Sequence, residues 1–171
     1  MALLALDGAN REVAEYWLSL WTGTTPPQGR DFNLSQLGQN AAAAALLEVG
    51  PDETIVCCDA GRYFAVLLGK NPVGENLLKD ATSHERQERL RRAQAMVDGA
   101  IMYGERIFAS ESGDLRVPEL YLPFAGAGAH GERYVLSHSN WRPGDNVFAY
   151  GITDASLAAN LRILPIVEPD Q

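Results

Sequence analysis

The side chains in this chain that could do acid–base, nucleophilic or metal chemistry are few and scattered. Three histidines are present, His84, His130 and His138, and two cysteines, Cys57 and Cys58. The cysteines are neighbours on a predicted strand, so their side chains point to opposite faces, which disfavours a disulfide between them. No further Cys and no closely spaced His completes a ligand set, so both read as reduced thiols and the expected metal content is none. The chain has no Gly-rich phosphate loop followed by Lys-Ser or Lys-Thr, no Gly-x-Ser-x-Gly and no His-Glu-x-x-His. Gly126, Gly128 and Gly131 have dinucleotide-loop spacing, but a strand follows them where a pyrophosphate needs a helix N-terminus, so they read as a hairpin loop. The one arrangement that could support an enzyme is Glu119, Tyr121, His138 and Asn140, if adjacent strands bring them to one side of a sheet. No catalytic residue is assigned.

Composition narrows the partners. The 171 residues are 46% apolar, enough for one core, and carry a net charge of −8 with a pI near 4.8. That balance argues against nucleic acid, whose phosphates need concentrated Lys and Arg. Arg86, Arg89, Arg91 and Arg92 alternate with Glu85 and Glu88 and read as a solvated helix face. With neither a leader pattern nor a bilayer-length apolar run, the expectation is a cytoplasmic protein with no membrane contact.

The elements that must position these residues are legible in the periodicity. Val13, Tyr16, Trp17, Leu20 and Trp21 recur at i, i+3, i+4, i+7 and i+8, one aromatic stripe of a short helix that the Gly23–Pro27 break ends. The Ala41–Val49 segment begins as a helix would and ends as a strand would. A turn over residues 50–53 then links it to a second strand, Thr54–Asp59, as an antiparallel hairpin. Residues 63–68 predict a short helix, and Leu77 and Leu78 a further helical turn. Thr82 and Glu85 have capping-box spacing ahead of a longer helix, whose stripe is Leu90, Ala93 and Val97 and which Gly99 ends. Three strands follow at 101–110, 117–124 and 133–140. Leu120, Leu122 and Phe124 alternate with Glu119 and Tyr121, so one face of that strand meets a core. Two strands, then helices, then three strands make an antiparallel α+β domain.

This layout resembles the PAS domain. The blocks Glu15-Tyr16-Trp17-Leu18-Ser19-Leu20, Pro27 with Arg30-Asp31-Phe32-Asn33, Leu67 to Gly74 and Glu119-Leu120-Tyr121-Leu122-Pro123-Phe124, in that order, are similar to a bacterial family of short PAS-like proteins with an N-terminal Tyr-Trp helix. The resemblance covers roughly residues 11–141. It implies a five-stranded antiparallel sheet with helices on one face, an N-terminal amphipathic helix that pairs two copies, and a pocket for a small ligand. The family carries a bulkier apolar run where this chain has Ala41 to Ala45.

On that basis residues 1–30 form the helix and linker, 31–141 the PAS-like domain and 142–171 an extension. The apolar end of that extension, with Phe148, Tyr150 and Leu161 to Val167, would cover a sheet edge or reach a neighbouring subunit. Pocket candidates are Tyr63, Phe64, Tyr121 and His138; homodimer candidates are Val13, Tyr16, Trp17, Leu20 and Trp21. Some PAS domains hold haem on one axial His, for which only His84 and His138 qualify. Flavin-binding PAS relatives need a Cys in an Asn-Cys-Arg-Phe-Leu setting, where this chain has Asp59-Ala60-Gly61-Arg62-Tyr63-Phe64. The expectation is no cofactor. The functional expectation is a non-enzymatic sensory or interaction module of bacterial signal transduction, acting through a ligand or an unidentified signalling protein. The alternatives are the small enzyme above and a ligand-free structural adaptor.

Overall fold

The computed structural model describes residues 6, 8–22, 26–29, 32–68, 70–109, 115–126, 128, 130–140, 154–157 and 162–164. Residues 23–25, Arg30, Asp31, Gly69, Ser110, Phe148, Tyr150, Leu161 and Pro165 to Val167, all part of the sequence reading, lie outside them.

Helix α1 spans Gly8–Ser19 and buries Val13, Ala14 and Trp17, the centre of the aromatic stripe. The expected helix through Trp21 stops at Ser19. Leu20 and Trp21 continue in a tighter turn, with their amides bonded to the carbonyls of Trp17 and Leu18, three residues back. A 3-10 helix, Leu34–Ala43, starts under the cap of Asn33 and kinks at Gly38, whose φ of 57° suits glycine. The alanine run is therefore divided. Ala43 ends the 3-10 helix and Ala44 opens β1, Ala44–Val49, which pairs antiparallel with β2, Ile55–Ala60, through the expected turn.

Helix α2 covers Arg62–Leu68 and α3 covers Ser83–Val97. The capping box is complete: the Glu85 amide donates to Thr82 Oγ1, and the Glu85 carboxylate accepts from the Thr82 amide. Leu77 and Leu78 form a hydrogen-bonded turn in place of the expected helix. Asn76 Oδ1 accepts the Leu78 amide at 3.0 Å, and Leu77 donates its own amide to the Ile55 carbonyl of β2. Strands β3, Ile101–Ala109, β4, Leu115–Pro123, and β5, Arg133–Ser139, complete a sheet in the order β2-β1-β5-β4-β3, with every neighbouring pair antiparallel. Two short strands from the C-terminal region, β6, Asp154–Leu157, and β7, Arg162–Leu164, both pair with β3.

Both faces of this sheet are covered, so alternate residues of one strand enter different cores. Leu120, Leu122 and Leu136 pack with Val13, Trp17 and Leu34 under α1. Ala45, Leu47, Met102 and Val135 pack with Phe64, Ala93 and Met96 under α2 and α3. The fold is the expected five-stranded antiparallel sheet with two helices on one face and the N-terminal helix, here laid across the other.

Candidate functional site

Between the sheet and α3 lies a cavity of about 330 Å³, walled on its third side by the segment from Lys70 to Ala81. Strand register builds its floor. Met102 of β3, Tyr121 of β4 and Ser137 of β5 are directly opposed, one row across three strands. Leu47, Val135, Phe64 and Met96 add apolar surface. Beside this row Glu119 and Ser139 form the next, and Glu119 is only 1% exposed. Its two carboxylate oxygens accept from Tyr121 Oη at 2.7 Å and Ser139 Oγ at 3.1 Å, which meets part of the desolvation cost of a buried carboxylate.

The other wall is charged. Arg89, Arg92, Ala93 and Met96 of α3 all line the cavity, and they fall at i, i+3, i+4 and i+7. This corrects the reading of the arginine cluster as a solvated face, since half of it faces inward. The missed signal was a stripe shared by two arginines and two apolar residues. Arg89 donates to the Leu77 carbonyl at 2.9 Å and so ties α3 to the 70–81 wall. Arg92 lies 3.5 Å from Glu88, which also accepts from Arg91 at 3.2 Å, while the Arg92 Nε is buried with no hydrogen-bond partner. Burial pulls the Arg92 guanidinium below its ordinary pKa, against the opposing pull of Glu88.

Of the four pocket candidates, Phe64 and Tyr121 line this cavity. Tyr63 does not: its ring lies under the Arg62 guanidinium at 4.8 Å and its hydroxyl accepts from Arg62 at 2.9 Å. His138 is on the opposite face of the sheet, because it follows Ser137 on a strand and side chains alternate. It is 1% exposed, and its Nδ1 sits 2.7 Å from Oδ1 of Asn10 on α1. With Oδ1 as the acceptor, it is the Nδ1–H tautomer that completes this bond. Burial pushes the His138 pKa down to about 4, partly opposed by Glu12. The same alternation divides the enzyme cluster. Glu119 and Tyr121 sit on one face and His138 on the other, so these residues do not assemble.

The aromatic stripe meets its own sheet. Val13 and Trp17 are almost wholly buried, and the Trp17 indole donates to the Pro123 carbonyl at 3.1 Å. Their assignment to an interface between copies is corrected, since the β4 surface already covers them. Tyr16, Leu20 and Trp21 are partly buried against the same core. Cys57 and Cys58 are free thiols raised to about 11, chiefly by burial. Among the described residues no group of three or more His, Cys, Asp or Glu could hold a metal ion, and no helix is long and apolar enough to cross a membrane.

No protein-family profile matches the sequence, and no curated protein does. Among solved structures the chain is similar to a domain of an HTR-like protein from Haloarcula marismortui ATCC 43049, at 19% identity and a TM-score of 0.37 over 57% of this chain and 97% of that one. It is also similar to the PAS domain of an HTR-like protein from Haloarcula marismortui, at 18% identity and a TM-score of 0.35 over 58% of this chain and 82% of that one. A third similarity is to a variant of RsLOV, at 18% identity and a TM-score of 0.34 over 64% of this chain and 68% of that one. The expectation of no cofactor is corrected by this similarity to a LOV structure. The cavity lining holds Arg89, Arg92 and Lys70 beside Glu75, Asp80 and Glu85, and neither cysteine. By its own strand order and helix placement, the chain has a PAS-like α+β fold.

Proposed function

We propose that this chain is a non-enzymatic sensory or interaction module of bacterial signal transduction, working in the cytoplasm, in which a small ligand occupies the cavity beneath α3 and biases how the module meets a partner protein. The observation that supports this reading is the cavity itself. About 330 Å³ of space, with an apolar floor and a few polar groups, falls in the size range of small-molecule sites. An adaptor with a filled interior would leave no such space. A homodimer, in this reading, would use the part of the stripe left partly exposed, Tyr16 of α1 with Leu20 and Trp21 after it, beside the exposed Leu18.

The chain has three methionines, of which Met96 and Met102 line the cavity. Their methyl groups, labelled with ¹³C, report occupancy with almost no spectral overlap. Native mass spectrometry of the purified protein, followed by a screen of small acids, alcohols, amines and aromatic rings against the two methyl resonances, tests the reading. Bound mass that shifts both resonances supports it. No co-purifying molecule, with both methyls unmoved by the whole panel, overturns it.

A further inference from the structure

We infer that the ligand of this cavity is an anion with an apolar body, its acidic group held by Arg92 with Arg89 beside it. The inference rests on the cavity reading above and adds the chemistry of the occupant. The charged groups around the cavity differ in how well they are already matched. Glu75 pairs with Lys70 at 3.5 Å. The Glu85 carboxylate accepts from both the amide and the hydroxyl of Thr82 at 2.8 Å. Asp80 is exposed at the rim. Arg89 donates to a neutral carbonyl and has the Glu85 carboxylate one turn before it, whereas Arg92 is left short of counter-charge, because it shares the single carboxylate of Glu88 with Arg91. Arg92 also keeps a buried Nε–H with no acceptor, at a site where an unmatched donor is costly. A carboxylate or phosphate supplies the missing charge, and its paired oxygens match the guanidinium fork.

Size and polarity set the rest of the molecule. A cavity of about 150 Å³ takes a benzene ring, so about 330 Å³ takes roughly twice as many non-hydrogen atoms. The floor offers such a body mostly Leu, Val, Phe and Met side chains. With a net charge of −8 the whole chain repels anions at a distance. Retention must therefore come from contact with the arginines.

The test compares 4-phenylbutyrate, of about twelve non-hydrogen atoms, with 4-phenylbutan-1-ol and 4-phenylbutylamine. Each is titrated into the full chain and followed by the Met96 and Met102 methyl resonances. The acid is expected to bind about tenfold or more tightly than the alcohol, and the amine most weakly. Arg92→Met, which keeps the apolar stem, should bring acid and alcohol to equal affinity, with Arg92→Gln as a second variant if the first melts early. Alcohol binding as tightly as acid in the wild type, or amine binding best, overturns the anion inference while leaving a binding cavity. Failure of all three probes to move either methyl counts against the cavity reading as well. Acid preference that survives intact in a folded Arg92 variant removes Arg92 from its role. The wild-type comparison alone decides the ligand's charge whether or not a variant folds.

Discussion

Replacing Trp17 by alanine separates packing within the chain from packing between chains. The indole is fully buried between α1 and β4, donates to the Pro123 carbonyl, and meets Trp21 edge to face with ring centroids 5.1 Å apart. Truncating a buried Trp costs ~3–5 kcal/mol, through lost transfer energy and the cavity left behind. The removed hydrogen bond and the aromatic pair place this site in the middle of that range or above it. At roughly 2–4 °C per kcal/mol for a chain of this length, Trp17→Ala should melt about 10 °C below the wild type. Leu18→Ala, one residue on and 39% exposed, should move the midpoint by no more than a degree or two. Circular dichroism melts of both variants, run beside sedimentation equilibrium, read the outcome. If Trp17→Ala melts within about 3 °C of the wild type yet shifts a larger species to a smaller one, the ring serves a second copy and the placement of α1 on its own sheet is wrong.

His138 should make stability depend on pH in a definite direction. Its folded pKa of about 4 lies below the ordinary ~6.5, so the unfolded chain binds the proton first. Its contribution is whole above about pH 6.5, erodes as the pH falls and levels off near pH 4, for a total of about 3 kcal/mol. Urea unfolding of the wild type and His138→Gln across that window should show this slope only in the wild type, and parallel profiles would refute the assignment. Thr82→Ala removes the cap of α3 and should cost about 1 kcal/mol, a fall of about 2–4 °C in Tm, with Thr82→Ser restoring most of it. An unchanged midpoint would mean that α3 is held by its packing alone.

Local signals in the sequence are most legible where one residue type does one job. The Thr82–Glu85 cap, the turn after Val49 and the alternation through Leu120 and Leu122 each fix a piece of backbone, because caps, turns and strand periods act over a few residues. Period two also establishes that His138 and Ser137 face opposite ways. It does not say which face holds a cavity, since both faces are covered and a polar residue under α1 looks like one under α3. For that reason sequence alone puts His138 in the pocket, and leaves Arg89 and Arg92 outside it. A long side chain with an apolar stem can line an interior while its head stays near the rim, so charge alone does not report exposure. The α1 stripe marks an apolar contact without naming its partner, which depends on contacts more than a hundred residues away at Pro123 and His138.

The two ends of the sheet determine how this chain can meet other molecules. Unpaired strand edges are ready templates for another chain's backbone. At one end β3 hydrogen-bonds to β7 over Ile101–Tyr103 and to β6 over Arg106–Ala109. At the other, the 74–77 segment covers β2: the Gly74 amide donates to the Cys57 carbonyl, the Leu77 amide to that of Ile55, and the Cys57 amide to the Glu75 carbonyl. The outer edge of β3 and the Ile55–Cys57 stretch of β2 are thus engaged within the chain, and a partner's strand cannot add to either without displacing part of it. Because Glu75, Asn76 and Leu77 also wall the cavity, peeling that margin away would open the interior and bare the edge of β2 in the same movement.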